Sequence, residues 1–285
     1  MKTALSLYSF GKYIIEKKFD ILECLDRTKE MGFDGVEILE RYVVGGKYSF
    51  SEIKRHADEI GLPIVMYTVD ANFLKNEGTQ IKEQVEKVKA NIDQATLLGA
   101  PKMRHDMTWG LSNGKTYGFG FDLLLPTLTD ICREITEYGE KRGVKTMFEN
   151  HGHFIQDSYR CEKLLEAVNH PNFGLLLDVA NFMVADEDPA VAVGRLARYA
   201  LHVHAKDFHT KSRLMEYPGR GWSVSRGGNY LRGAILGHGD AGVKQSLQII
   251  KNNGYDDYVS IEFEGIEDNL LGIEMGLENL KKYIG

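Results

Sequence analysis

Short apolar runs alternate along this chain with longer segments in which apolar residues recur at helical spacing. The apolar runs, which we predict to be β-strands, cover residues 3–10, 35–39, 63–69, 102–107, 145–150, 174–181, 201–207 and 258–265. The segments predicted to be helical cover residues 20–31, 51–60, 80–98, 123–142, 159–168, 189–199, 243–253 and 271–283. Strict alternation of strand and helix predicts a parallel sheet. Eight such units predict a closed (β/α)8 TIM barrel, an α/β fold that spans residues 1–285 as a single domain.

The alternative fold is an open doubly wound sheet, which usually carries a glycine-rich phosphate-binding turn after its first strand. The corresponding stretch here, SFGKYI (9–14), contains one glycine, so the barrel is favoured. Glycine follows several predicted helices, where it suits the left-handed conformation of a C-cap. A long loop of about residues 208–242 follows the seventh strand. Loops of this length without secondary structure are typically functional lids or disordered segments.

The composition is that of a globular protein with an acidic balance. The 285 residues are 43% hydrophobic and 27% charged, with a formal net charge of −6. Because sequence-independent binding of nucleic acid requires a basic surface, we expect no nucleic-acid partner. No run approaches the ~18 apolar residues of a membrane span, and the N-terminal MKTALSLYSF is too short and polar for a signal peptide. We therefore expect no membrane partner. The three cysteines form no Cys-x-x-Cys pair, so we expect a reduced, cytoplasmic protein.

Ionisable residues concentrate where the predicted strands end, which is the active-site face of a TIM barrel. Four of them lie on the fifth to eighth strands: Glu149, Asp178, His204 and Glu262. Three carboxylates placed together repel one another, and burial makes each charge costlier, so a divalent cation is expected to offset them. Oxygen-rich ligation favours Mn²⁺ or Mg²⁺, and the histidine leaves Co²⁺ and Zn²⁺ as alternatives. Each residue alone also suits a structural role, such as a salt bridge or a cap.

The seventh predicted strand, LHVHAKD, indicates which side chains point inward, because successive residues of a strand alternate between its two faces. We expect the apolar set to face the surrounding helices: Leu201, Val203 and Ala205. We expect the polar set to point into the barrel: His202, His204 and Lys206. Of these, only His204 is a predicted metal ligand.

Five motifs together resemble the xylose isomerase-like (AP endonuclease family 2) superfamily of sugar-phosphate isomerases and epimerases. They are FENHG (148–152), LLLDVANF (175–182), HVHAKD (202–207), LRGAILGHGDAGV (231–243) and SIEFEG (260–265). The resemblance covers essentially the whole chain and implies a (β/α)8 barrel that binds a divalent metal. It implies that the ligands are Glu149, Asp178, His204 and Glu262. It also implies that the two glutamates act as base and acid on opposite faces of the substrate, and it suggests a homo-oligomer.

The chemistry implied is proton transfer next to a carbonyl, which requires a base, an acid and an electrophile that stabilises the enediolate. A metal supplies the electrophile. We therefore expect a metal-dependent isomerase of the ketose epimerase or aldose–ketose isomerase type, acting on a sugar or sugar phosphate. Three alternatives stay open: a dehydratase of the inosose or dehydroshikimate type, a sugar-binding partner subunit and a DNA-repair endonuclease. The last is disfavoured, because Leu231 and Gly233 stand where the endonucleases carry metal ligands.

Eight residues are expected to contact the substrate: Glu37, His105, Trp109, His151, Asn181, Lys206, Arg232 and His238. Several have an equally simple structural explanation. Glu37 would either bind a sugar hydroxyl or merely pair with Arg41. Lys206 would neutralise a substrate anion or the ring of carboxylates, and its structural alternative is a salt bridge with Glu264 or Asp207.

Two of these residues, Asn181 and Arg232, can be compared with the residues that the family carries at the same positions. Many family members carry histidine at the position of Asn181, and an amide binds a hydroxyl but does not shuttle a proton at neutral pH. Arg232 matches an arginine of the family, which favours it over Arg220 and Arg226 of the same loop.

Overall fold

The structure, a computed structural model, describes residues 1–74, 79–108 and 120–285 and contains all eight predicted strands. The strands are β1 (Lys2–Ser6), β2 (Gly35–Leu39), β3 (Ile64–Val69), β4 (Lys102–His105), β5 (Lys145–Glu149), β6 (Phe173–Asp178), β7 (Ala200–Ala205) and β8 (Tyr258–Ile261). Each strand pairs in parallel with its neighbours in the sequence, and β8 closes on β1. The prediction of a (β/α)8 TIM barrel is therefore confirmed.

Within the described residues, eight main helices surround the barrel. They are α1 (Ile21–Glu30), α2 (Phe50–Glu59), α3 (Thr79–Leu98), α4 (Phe121–Glu140), α5 (Ser158–Val168), α6 (Pro189–Leu196), α7 (Val243–Asn252) and α8 (Asn269–Ile284). Shorter helical turns cover Leu7–Phe10, Gly11–Ile15, Glu40–Val43, Asn181–Ala185 and Ala197–Tyr199.

The helix ends follow from local sequence signals. Asp20 and Ser49 each form a capping box with the glutamate three residues later, which satisfies free N–H groups of the first turn. The glycines predicted to follow helices all have a positive φ, between 65° and 89°: Gly32, Gly61, Gly99, Gly143 and Gly254. This is the left-handed conformation expected of a C-cap glycine.

The barrel interior has an apolar floor beneath a polar mouth. Met66, Met147 and Leu176 form a small buried cluster separate from the main core between barrel and helices. Met147 and Leu176 lie two residues before Glu149 and Asp178, so all four side chains face the interior at successive levels. The ionisable residues therefore lie above packed apolar side chains, at the C-terminal ends of the strands.

Leu201 does not face the helices, so that expectation was wrong. Leu175 pairs with Ala200, but Leu176 pairs with His202, which leaves Leu201 as an extra residue on β7. Leu201 packs against the interior methionine and leucine cluster. A bulge of this kind shifts the alternation of side chains locally. The other assignments on this strand agree with the structure.

The segment after β7 is not a structureless loop, which corrects the expectation of a long loop over about residues 208–242. It contains a three-stranded antiparallel sheet formed by Phe208–Lys211, Ser223–Val224 and Tyr230–Gly233, and the last of these is the middle strand. Antiparallel pairing satisfies backbone groups that a free loop would leave to water. We call this element the small sheet.

Side chains from neighbouring loops clamp the small sheet in place. Its turn bonds to Asp186, whose Oδ1 accepts hydrogen bonds from Ser225 Oγ at 2.6 Å and Asn229 Nδ2 at 2.8 Å. Arg226 Nη1 lies 3.1 Å from Asp157 Oδ2, on the segment that follows β5. The small sheet is therefore built as a wall of the mouth rather than as a free lid.

None of the helices described in this structure is long and apolar enough to cross a membrane.

We predict opposite effects for two glycine-to-alanine substitutions. At Gly174 on β6, an added methyl group would lie 2.5 Å from Leu201 Cγ and 2.8 Å from the Tyr199 carbonyl oxygen. Overpacking of this kind lowers the free energy of unfolding by about 1–3 kcal/mol. At Gly194 in α6, the same methyl group meets open space, and alanine should raise the stability by roughly 0.5–1 kcal/mol. Urea unfolding measures both, and a neutral Gly174→Ala would contradict the close approach.

Candidate metal centre and active site

The four residues predicted to bind a metal converge at the C-terminal mouth of the barrel. Glu149 ends β5, Asp178 ends β6, His204 lies on β7 and Glu262 follows β8. One donor atom from each residue lies within 4.8 Å of the other three. Nδ1 of His204 lies 3.7 Å from Glu262 Oε1, 3.9 Å from Glu149 Oε1 and 4.0 Å from Asp178 Oδ2. We call these four residues the central cluster.

Glu37 on β2 orients the imidazole of His204. Nε2 of His204 lies 2.9 Å from Glu37 Oε2, and Glu37 Oε1 lies 2.6 Å from His202 Nε2. Burial raises the pKa of Glu37, but the two imidazoles outweigh burial and hold this pKa well below its usual range. Because an ionised carboxylate only accepts hydrogen bonds, Nε2 of His204 donates to it. Nδ1 of His204 is therefore directed at the three carboxylates.

Two buried atoms at the heart of the central cluster, His204 Nδ1 and Asp178 Oδ2, form no hydrogen bond among the described residues, although Lys206 Nζ forms an ion pair with Asp178 Oδ2 at 3.2 Å. Burial lowers the pKa of His204, but Glu37 and Glu262 outweigh burial and raise it to about 10. Burial also raises the pKa of Asp178, and repulsion from Glu149 adds to this rise. The central cluster therefore favours positive charge, such as a bound proton, between its donor atoms. A divalent cation satisfies the same demand.

Asp178 is fixed by its own turn and by β5. Its Oδ1 accepts hydrogen bonds from the backbone N–H groups of Ala180 and Asn181, at 2.9 and 3.0 Å. The Asn150 amide donates to the backbone carbonyl of Asp178 and accepts from its N–H, each at 2.9 Å. One carboxylate oxygen is thereby occupied, and the other is left for the central cluster.

Arg104 on β4 is a residue of this site that was not predicted from the sequence. Its Nη2 lies 2.5 Å from Glu149 Oε2 and 2.6 Å from Asp106 Oδ1. Burial raises the pKa of Glu149, but Arg104 leads the charges that outweigh burial and lower it to about 2. Asn181 Nδ2 donates to the second oxygen of Glu149, Oε1, at 2.9 Å. Glu149 is therefore ionised and held in one orientation.

The alternation along β4 contained the signal for Arg104. In KMRHDM, His105 shares a face with Met103 and Met107, both of which lie in the main core, so Arg104 faces the interior. His105 is fully buried edge-to-face against Phe73, with 5.9 Å between the ring centroids, and burial lowers its pKa to about 4. The expected substrate contact of His105 is corrected accordingly, because its side chain lies on the helix-facing side of β4.

Lys206 neutralises the carboxylates from the side of β7. Its Nζ lies 2.6 Å from Glu262 Oε2, 3.2 Å from Asp178 Oδ2 and 3.7 Å from Glu264 Oε2. It also donates to Asn181 Oδ1 at 3.3 Å. Burial lowers the pKa of Lys206, but these carboxylates outweigh burial and raise it well above its usual value. Lys206 is therefore a charged partner of the carboxylate ring, in agreement with one of its two interpretations.

The structure brings His151 to the site and Arg232 to the rim of the mouth. His151 Nδ1 lies 3.2 Å from Asp106 Oδ1. Arg232 lies on the middle strand of the small sheet, where Nη2 is 3.4 Å from Glu267 Oε1. Its guanidinium also lies over the ring of Trp222, 5.6 Å from the centroid. Trp222 was not among the predicted site residues, because its position depends on the small sheet.

Glu37 is not placed to touch a substrate, which corrects another expectation. Its side chain is fully buried beneath His204 and between two imidazoles. The alternative pairing with Arg41 is also wrong, because Arg41 bonds to Asp70 at 2.6 Å. Glu37 instead supports a candidate metal ligand.

Another predicted substrate contact, His238, is not found at the central cluster. His238 lies in an exposed turn, and its neighbour Gly237 lies against Tyr283 and Asn279 of α8, on the outside of the barrel. A contact of His238 with the substrate therefore stays a prediction. Trp109 lies outside the described residues.

The barrel and the central cluster define an α/β enzyme scaffold with a carboxylate-rich site at its mouth. Residues 25–283 match a family model described as the xylose isomerase-like TIM barrel. The chain therefore belongs to this family, which confirms the resemblance seen in its motifs.

Two curated relatives show the range of activities near this chain. The rhizopine catabolism protein MocC of Rhizobium meliloti is 24% identical over 278 residues, covering 91% of this chain and 80% of that protein. The 3-dehydroshikimate dehydratase of Pseudomonas putida is 23% identical over 170 residues, covering 59% of this chain. The match spans only 26% of the length of that dehydratase.

Solved structures share the whole fold at low identity. The IolI protein with a bound zinc atom has a TM-score of 0.80 at 14% identity. The match covers 100% of this chain and 98% of that one. The 3-keto-D-glucoside 4-epimerase YcjR of E. coli has a TM-score of 0.72 at 18% identity, with 92% of this chain and 94% of that one covered. Epimerases and dehydratases thus stand among the similar proteins.

We predict that Glu37→Gln weakens Mn²⁺ binding roughly 10- to 100-fold, the usual effect of removing the outer partner of a metal-ligating histidine. Glutamine keeps the size of the side chain but loses the charge that orients His204. Calorimetric titration of metal-free protein with Mn²⁺ measures the change. Glu40→Gln is the control, because Glu40 is also buried beside β2 but pairs with Lys87 and Asn91. Equal affinities in Glu37→Gln and the unmodified protein would contradict the assignment.

Proposed function

We propose that this protein is a divalent-metal-dependent isomerase or epimerase that transfers a proton next to the carbonyl group of a sugar or related polyol. The observation that supports this most strongly is the placement of Glu149 and Glu262 around His204. Nδ1 of His204 lies 3.9 Å from the first carboxylate and 3.7 Å from the second. Two carboxylates beside one centre provide the base and the acid that this chemistry requires.

The central cluster fits a divalent ion, because its donors converge and two of their buried atoms lack hydrogen bonds within the described residues. Glu149, Asp178, His204 and Glu262 would hold it. Such an ion would polarise the substrate carbonyl and a neighbouring hydroxyl. Three carboxylates favour Mn²⁺ or Mg²⁺, and the imidazole also suits Co²⁺ or Zn²⁺. The zinc atom in the IolI structure supports a metal but leaves its identity open.

In this proposal Glu149 is the base. Arg104 and Asn181 contact both of its oxygens and keep it ionised, so it is ready to accept a proton from the substrate carbon. Glu262 would return a proton from the other side after taking one from the ammonium of Lys206, whose Nζ lies 2.6 Å from Glu262 Oε2. Return to the same carbon gives an epimer, and return to the neighbouring carbon gives an aldose–ketose isomer. Asn181 carries no proton, and its part is to fix Glu149 and bind a hydroxyl.

A dehydratase is the second candidate. Lys206 is a buried ammonium between Glu262 and Asp178, so a proton donor is available to a departing hydroxyl. The same proton abstraction followed by loss of water would give the type of activity named for the Pseudomonas putida relative.

We also propose a cytoplasmic location. The three cysteines are free and buried: Cys24, Cys132 and Cys161. Burial raises the pKa of each thiol and keeps it unreactive. Free thiols are typical of a reducing compartment.

Incubation of the Mn²⁺-loaded protein with ketoses and inososes in D₂O tests the reaction type. An isomerase or epimerase would place solvent deuterium next to the carbonyl without loss of water, which proton NMR and mass spectrometry detect. Loss of water would select the dehydratase. If metal and sugar both bind but the protein shows no deuterium exchange and no turnover, an enzymatic function would be contradicted.

We predict that Glu149→Gln and Glu262→Gln each reduce kcat by roughly 10²- to 10⁴-fold, the usual contribution of a positioned acid or base. Circular dichroism should show the barrel intact in both. Glu40→Gln serves as the control, since its carboxylate is also buried but bonds to Lys87 and Asn91. Wild-type kcat in either active-site variant would exclude that glutamate from proton transfer.

A further inference from the structure

We infer that the site takes an uncharged polyhydroxylated carbonyl compound, such as a keto sugar or keto cyclitol, and discriminates against phosphorylated or carboxylated substrates. This inference rests on the proposed function and names its substrate class. It is carried by the charges that line the mouth and by the partners that they already have.

Negative side chains outnumber positive ones around the central cluster. Within the described residues, the carboxylates in and beside it are Glu37, Asp106, Glu149, Asp178, Glu262 and Glu264. The arginine and lysine side chains among them are Arg104 and Lys206. The imidazoles among them are His151, His202 and His204, and a His204 that binds a metal would be neutral. A divalent ion at the four donors would offset part of this excess but not all of it. A phosphate or carboxylate would add negative charge where burial weakens screening by water.

Both central cations are already committed to buried carboxylates. Arg104 contacts Asp106 and Glu149, and it is only 4% exposed. Lys206 contacts Asp178 and Glu262, and it is 5% exposed. A substrate anion that recruited either cation would leave a buried carboxylate without its partner, which is strongly unfavourable.

The guanidinium groups described nearer the rim of the mouth add little positive charge that a substrate anion could use. Three of those described pair with carboxylates: Arg41 with Asp70 at 2.6 Å, Arg226 with Asp157 at 3.1 Å and Arg232 with Glu267 at 3.4 Å. Nε of Arg232 is buried and has no hydrogen-bond partner among the described residues, so this arginine needs a direct test. Arg220 is exposed to solvent, where an ion pair with a substrate contributes little. Arg220 and Arg232 are therefore the positions at which recognition of a phosphate can be tested.

Uncharged groups suited to hydroxyls lie at the same mouth. The Asn181 amide bridges Glu149 and Lys206. Tyr8 lies in the helical turn Leu7–Phe10 that directly follows β1, at the same end of the barrel, and its neutral phenol is able to donate a hydrogen bond. Amide and phenol groups bind hydroxyls without a counter-ion, which suits a neutral polyol.

Calorimetry with the Mn²⁺-loaded protein tests this inference on a panel of neutral and anionic ligands. The neutral members are D-fructose, D-tagatose, D-psicose and 2-keto-myo-inositol, and the anionic members are D-fructose 6-phosphate and 3-dehydroshikimate. We expect at least one neutral member to bind roughly ten-fold more tightly than either anion. Tighter binding of an anionic member, or binding of no neutral member, would overturn the inference.

Arg220→Gln and Arg232→Gln provide the second measurement. We expect each to change the ratio of the affinities for D-fructose and D-fructose 6-phosphate by less than roughly three-fold, since neither arginine is expected to read a phosphate. A selective loss of D-fructose 6-phosphate binding would overturn the inference. Its failure is distinct from failure of the proposed function. If only a phosphorylated ketose exchanges deuterium, the substrate class is refuted and the reaction is not. If a neutral ligand binds tightly but exchanges no deuterium, the reaction is refuted and the substrate class is not.

Discussion

The repulsion among three carboxylates that face Nδ1 of His204, two of them buried and one partly buried, is the constraint on which the rest of the site depends. Glu149, Asp178 and Glu262 belong to different strand ends, and the closed barrel holds them within 4.8 Å of one donor atom. Burying like charges costs several kcal/mol per ion unless opposite charge or hydrogen bonds offset it. The neighbouring strands supply that compensation, and a cation at the centre completes it.

Each charged group of the site is held by a partner from another part of the barrel. Glu37 reaches across from β2 to His204, Arg104 reaches from β4 to Glu149, and Asn181 connects Glu149 to Lys206. This arrangement fixes protonation states as well as positions, because it keeps Glu149 ionised and directs Nδ1 of His204 inward. The small sheet, clamped to the loops after β5 and β6, then shapes the mouth where a substrate would enter.

The fold and the central cluster were predictable from the sequence because their signals are local: alternating elements, glycine C-caps and polar residues at strand ends. Arg104 was also within reach, since alternation along β4 separates it from His105. The orientation of Leu201 was not, because a bulge depends on the register between two strands. Nor was the role of Glu37, because its partners lie across the barrel, at a distance that no sequence spacing encodes.

The central claim is that His204 Nδ1 and the three carboxylates share one divalent cation. Crystals grown with Mn²⁺, measured for anomalous scattering, test it most directly. The account predicts an anomalous peak bounded by His204 Nδ1, Glu149, Asp178 and Glu262, with Nε2 of His204 still bonded to Glu37. Absence of a peak there, or a peak coordinated by Nε2 after the ring has turned away from Glu37, would contradict it.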